Sequence, residues 1–83
     1  MRANDFRWND WNLDHATRHG VSVAEIEGIV NRGRHSPRDA GNGKWRIDGR
    51  GRGDRPIRVI FLLNPDGGIY VIHAMPTTRH RRR

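Results

Sequence analysis

Residues 57–74 read IRVIFLLNPDGGIYVIHA. Two apolar runs, 57–63 and 69–74, flank the cluster Asn64-Pro65-Asp66-Gly67-Gly68. β-Branched and aromatic residues dominate both runs. Apolar strands around a Pro/Asp/Gly cluster predict a hairpin, with Gly67 or Gly68 supplying the positive φ of the turn. Val59, Phe61 and Leu63 fall on one face of the first strand; Ile60 and Leu62 fall on the other. Apolar residues on both faces predict central strands, each face at least partly covered. Arg58 and His73 interrupt the apolar pattern, and a polar group on a covered strand needs a partner or a task.

Upstream, Lys44-Trp45-Arg46-Ile47-Asp48 alternates strictly. It predicts a half-buried strand with Trp45 and Ile47 inward and Arg46 and Asp48 outward. Gly49-Arg50-Gly51-Arg52-Gly53-Asp54-Arg55 then reads as a flexible connection, although it resembles a single RGG segment. Pro56 starts the next strand without losing a ladder bond. Residues 33–43, GRHSPRDAGNG, carry no periodicity and read as a loop.

The N-terminal third predicts two helices, at about 11–19 and 23–32. Asn9 or Asp10 caps the first, Leu13, Ala16 and Gly20 fall at helical spacing, and Gly20 closes it. Asn12, His15 and His19 line its other face. Ser22 and Glu25 form a capping box for the second, with Val21 and Ile26 as its hydrophobic staple. Val23, Ile26, Ile29 and Val30 make its apolar stripe. Glu25 is thereby read as a backbone cap and not as a catalytic group. Asp5-Phe6-Arg7-Trp8 has the alternation of a short leading strand. The expected fold class is α+β: two N-terminal helices packed on one face of a small antiparallel sheet, in a single domain over 1–83 with a basic tail at 79–83.

Eighty-three residues form one domain at most, and such a chain buries only about 60% of its unfolded surface. There is no Cys, so no disulfide assists it. No apolar run reaches membrane-spanning length and the N-terminus lacks a signal-peptide core, which predicts a soluble, cytoplasmic protein. The net charge is +7, and residues 33–83 carry all of the excess, with twelve Lys and Arg against four acids. That asymmetry predicts a polyanionic or acidic partner, RNA or DNA foremost. Trp8, Trp11 and Trp45 could stack bases, but in so small a chain they are expected in the core.

The chain holds five His and abundant Arg. These suit metal-independent RNA cleavage, in which the 2′-OH attacks and the protein supplies a base, an acid and cations. His73, at the end of a strand beside the basic tail, leads the candidates. His15 and His19 lie i, i+4 on one helix face but have no third ligand at a recognised spacing, so no metal or other cofactor is expected. His19 at a helix end also suits the macrodipole. The candidate catalytic set is His73, His19, Arg50 and Arg79. His15, Arg18, Arg46, Arg58 and Arg81 are the candidate nucleic-acid contacts, and His35 and His80 receive no role.

Trp11-Asn12-x-x-His15-x-x-Arg18-His19-Gly20-Val21, a short helix, three strands, and then Ala74-x-Pro76-x-Thr78-Arg79 resemble the BrnT-type toxins of the RelE/ParE-like superfamily. The resemblance covers nearly the whole chain, and Arg18-His19-Gly20-Val21 is its most specific block. It implies a ribonuclease acting on mRNA, neutralised by a cognate antitoxin in a hetero-oligomer. A non-catalytic relative that binds a target, and a module that merely docks an acidic antitoxin, are the alternatives. Family members end the last strand with a Ser-Ala-Arg type sequence where this chain has His73-Ala74-Met75, and the following helix is cut to residues 79–83. Met75 cannot bind phosphate as an Arg would, which leaves that role to Arg79 or a tail Arg.

Overall fold

The computed structural model describes residues 5–32 and 36–77. Helices α1 (Asp10–Thr17) and α2 (Val23–Arg32) precede four strands, β1 (Arg38–Gly41), β2 (Lys44–Arg50), β3 (Pro56–Leu63) and β4 (Ile69–Pro76). The strands form one antiparallel meander in the order β1-β2-β3-β4. The α+β arrangement expected from the sequence is the one observed. No helix among the described residues is long and apolar enough to cross a membrane.

Cross-strand pairing sorts the sheet residues into two faces. Trp45–Phe61–Val71 and Ile47–Val59–Ala74 form rows beneath the helices. Ile47, Val59, Phe61, Val71 and Ala74 are buried there against Ala16, Val21, Ile26, Ile29 and Val30. The opposite face carries the rows Lys44–Leu62–Tyr70, Arg38–Arg46–Ile60–His73 and Asp48–Arg58–Met75. Ile60 and Leu62 are half-buried on that side. β3 is central as expected, but β4 is an edge strand, so the expectation of two central strands holds for only one of them. β4 tolerates the edge because α1 lies along it and the N-terminal segment tops it.

The N-terminal segment is not a strand. Phe6 makes a single parallel bridge to Ile69, with Arg7 N donating to Ile69 O at 2.8 Å and Ile69 N to Asp5 O at 2.8 Å. One bridge suffices because Asn9 immediately starts α1. The Asn9 side chain accepts from Asn12 N at 3.0 Å and the Asn12 carbonyl oxygen accepts from Asn9 N at 2.6 Å. This reciprocal cap rotates the expected helix face: Ala16 is buried as its spacing requires, but Asn12 joins it in place of Leu13. Asn12 is fully buried, its Nδ2 donating to Arg7 O at 2.9 Å, while Leu13 is 41% exposed. A buried amide whose polar atoms are satisfied costs little, so the cap overrides the apolar spacing.

β1 occupies what reads as loop in 33–43. Gly41 pairs with Lys44, leaving Asn42 (φ 54°) and Gly43 (φ 77°) as a two-residue turn with both positions at positive φ. Asn-Gly is the favoured pair for that turn. The β3–β4 turn uses Gly67 (φ 93°), with Asn64 N donating to Gly68 O and Gly67 N to Asn64 O, both at 2.8 Å. The connection at 51–55 is held rather than loose. Gly51 N donates to Arg55 O at 2.9 Å, and Arg52 N donates to the buried Glu25 carboxylate at 2.7 Å. Glu25 also receives Ser22 N at 3.0 Å, as the capping box requires, and Arg55 Nη2 at 3.2 Å.

Candidate active site

The site forms where α1 runs along β4. Alternation along Ile69-Tyr70-Val71 would place Ile72 opposite Ile60 and His73 opposite Val59, under the helices. Instead Val71 faces Phe61 and His73 faces Ile60, so Ile72 is an extra residue. Such a bulge re-aims the side chains that follow it. His73 joins the outer face and small Ala74 takes the buried position.

His73 thereby meets His19, which sits on the turn after α1. Their rings pack edge to face with centroids 5.2 Å apart. His73 Nε2 lies 3.2 Å from Met75 Sδ, so Met75 supports the ring. Partial burial, then the neighbouring His19 and the charge of Arg18, push the His73 pKa below its ordinary value. His73 is therefore biased toward the neutral, proton-accepting form. Arg18 is itself held by Asp14, Nη2 to Oδ2 at 2.8 Å.

Next to the pair lies an aromatic stack. Trp11 and His15, one helical turn apart, stack at 3.8 Å with an 18° interplanar angle, and Tyr70 lies nearly parallel to Trp11 at 6.4 Å. His15 Nδ1 is hydrogen-bonded to Trp11 O at 2.8 Å. Trp8 and Trp45 pack on the core as expected, Trp8 Nε1 donating to Glu27 at 2.9 Å. Trp11 does not; it is 51% exposed. Tyr70 was given no role in reading the sequence, Trp11 was weighed for base stacking but expected in the core, and Met75 was considered only as a position lacking an Arg. The signal available for Trp11 was its i, i+4, i+8 spacing with His15 and His19.

The predicted cations divide. Arg18 and His15 stand beside the histidine pair, as proposed for nucleic-acid contacts. Arg46 shares the cross-strand row of His73, two strand spacings or about 10 Å away. Arg58 lies in the adjacent row and is bonded to Asp48, Nε to Oδ1 at 2.9 Å, which raises its pKa further. Arg46 Nε is 3.9 Å from the same carboxylate. Arg50 is not brought to the pair. It ends β2 opposite Pro56, four residues along β3 from the His73 row, and donates to Asp54 O at 3.1 Å. Arg79 and Arg81, with His35, His80 and the basic tail, lie outside the described residues. A shallow groove lined by Ser36, Pro37, Arg38, Arg46 and Asp48 lies at the β1–β2 side of the outer face, away from the histidines.

Among the described residues, no three His, Cys, Asp or Glu side chains gather as metal ligands. His73 and His19 are in contact near the Arg18 guanidinium, beside a sheet face that carries cations and half-buried apolar side chains. The chain matches no protein-family model, no curated protein and no solved structure.

Proposed function

We propose that the domain is a metal-independent endoribonuclease, the toxin of a cytoplasmic toxin–antitoxin pair, acting on mRNA. The observation that carries this reading is the bulge-directed contact of His73 with His19 beside Arg18. Neutral His73 takes the proton of the 2′-OH, the 2′-oxygen bonds to phosphorus, and the P–O5′ bond breaks. His19 delivers a proton to the departing 5′-oxygen, leaving a 2′,3′-cyclic phosphate and a 5′-OH. Arg18 lies where it can offset charge that develops on the phosphoryl oxygens. The motif resemblance at Arg18-His19-Gly20-Val21 and the basic balance of residues 33–83 support the same substrate.

One feature favours a second reading. Arg58 and Arg46 both turn to Asp48 around half-buried Ile60 and Leu62, a face suited to a protein partner. On that reading the outer face docks an acidic antitoxin, and target binding replaces cleavage. The deciding experiment incubates the purified chain with single-stranded RNA in chelator and analyses the ends. Cyclic-phosphate products, lost in His73→Ala and His19→Ala variants that melt like the parent, support the ribonuclease. Intact RNA with the folded parent, or full activity in both variants, rejects it in favour of binding.

A further inference from the structure

Trp11 is not part of the buried core. It is half exposed while the other two Trp side chains pack on the core. Its orientation is nevertheless fixed: His15 stacks on it at 3.8 Å and Tyr70 lies parallel within 12°. Tyr70 OH in turn lies 3.4 Å from the Asn9 side-chain oxygen, which already caps α1. A large aromatic plane, held in place and left in water, is preorganised to receive another flat ring.

The surroundings specify which ring. Lys44 lies in the same cross-strand row as Tyr70, and Arg18 stands beyond His15 on the same helix. Trp11 to His19 spans eight residues of α1 and its closing turn, about 12 Å at helical rise. We propose that Trp11, with Tyr70 and His15, is a base-stacking platform that admits single-stranded nucleic acid and places an unpaired base beside the phosphate held at His19 and His73. The proposal rests on the nucleic-acid part of the functional reading but not on cleavage. Stacking requires an exposed base face, which a duplex withholds in its interior, so the platform selects against paired strands.

The test uses single-stranded DNA, which lacks the 2′-OH and cannot be cleaved by the proposed chemistry. A labelled single-stranded oligodeoxynucleotide and its duplex are titrated with the full chain and followed by fluorescence anisotropy. The single strand binds more tightly than the duplex, and Trp11→Ala weakens single-strand binding roughly 5- to 150-fold, the range for losing one base–aromatic stack. Duplex binding is unchanged in that variant, and Trp11→Phe restores most of the loss. Thermal melts of both variants match the parent because Trp11 is not core. Equal affinity for the two strand forms, or an unaltered single-strand affinity in Trp11→Ala, overturns the proposal. So does a variant that binds DNA normally but loses a protein partner. Because DNA is not a substrate, absence of ribonuclease activity leaves this outcome separate.

Discussion

His73 stands opposite Ile60, not opposite Val59, because Ile72 is an extra residue in β4. The same irregularity puts Ala74 in the buried row with Ile47 and Val59. Deleting Ile72 therefore regularises the strand without moving any residue to the wrong face. Tyr70 and His73 stay outward; Val71 and Ala74 stay inward. The domain is expected to fold cooperatively, with its melting transition intact, while the loss of bulge twist draws His73 away from His19 and lowers the proposed RNA cleavage at least about tenfold. A deletion that unfolds the domain, or leaves cleavage untouched, contradicts this account of the bulge.

Glu25 links helix α2 to the turn between β2 and β3. Its hydrogen bonds from Ser22 N and Arg52 N, opposed by burial and aided by Arg55, hold its pKa at about 2 against an ordinary 4.5. A folded-state pKa below the unfolded one contributes stability that is full above about 4.5 and is lost as pH falls toward 2. At about 1.4 kcal/mol per pKa unit the contribution is up to about 3 kcal/mol, a large share of what a small domain possesses. His73 adds a term of the same sign higher on the scale, since its pKa is also depressed: stability falls as pH drops below 6.5. Denaturant midpoints between pH 3 and 7 should rise with pH, and Glu25→Gln should flatten the acidic part of that curve.

Gly51 has no room for a side chain. A Cβ there would collide with the Glu25 carboxylate and with Ile57 Cδ1. At Gly49 it would lie 2.7 Å from Ile29 Cγ2. Both positions have ordinary backbone, so the obstacle is steric rather than conformational. Gly49→Ala and Gly51→Ala should each cost about 1–3 kcal/mol, read as a lower denaturant midpoint at unchanged m-value. The Gly51 variant should also weaken the pH dependence assigned to Glu25, which a simple packing defect would not do.

The buried cap at Asn12 gives a sharper stability test. Asn12→Ala leaves Asn9 N and Arg7 O without their side-chain partner. Losing a cap costs about 1 kcal/mol, and a buried group left unsatisfied costs about 1–3 more. Asn12→Ala is expected to destabilise by about 2–4 kcal/mol, whereas Leu13→Ala, at an exposed site, should stay within about 1 kcal/mol. The reverse ranking would restore the helix orientation inferred from apolar spacing.

Asn12 also shows where the sequence misleads. Apolar spacing across so short a helix is weak, and a reciprocal Asn–Asn cap is invisible to a hydrophobicity pattern. The second helix was legible because its Ser–Glu box and apolar stripe agree, and both recur in the structure. The strands at 44–48, 57–63 and 69–74 were legible from β-branched runs and turn residues, and the structure extends them to Arg50, back to Pro56 and on to Pro76. β1 was missed despite its Asn42-Gly43 turn, because residues 38–41 lack the apolar alternation that normally announces a strand and are all exposed. At the site, His73 was named for its place at a strand end beside the basic tail, and His19 was a candidate at a helix end. Their meeting depends on the Ile72 bulge, legible only as Val71 and Ala74 falling three apart. Trp11 was assigned to the core on composition, and the length of α1 with its capping geometry decided otherwise.

The pH dependence of the proposed RNA cleavage is the most direct test of the histidine pair. If neutral His73 is the base, kcat/KM falls on the acid side as His73 takes up a proton, below its ordinary value of 6.5. Burial depresses that pKa first, but His19 and Arg18 add like-charge contributions that substitution can remove. Arg18→Ala should therefore move the acid limb upward in pH, toward 6.5, while the base itself remains. It should also lower the plateau, since a cation beside the phosphate is gone. His73→Ala should lower the rate by about 10²–10⁴ and abolish that limb altogether. The two variants thus differ in kind: one shifts the profile and the other removes its acid side. Because Arg18 is exposed and, among the described residues, its ion pair is with Asp14 one turn earlier, its loss should change stability by no more than about 0.5 kcal/mol. An acid limb that survives in His73→Ala, with the domain folded and active, would separate His73 from the chemistry and leave the binding reading as the better account.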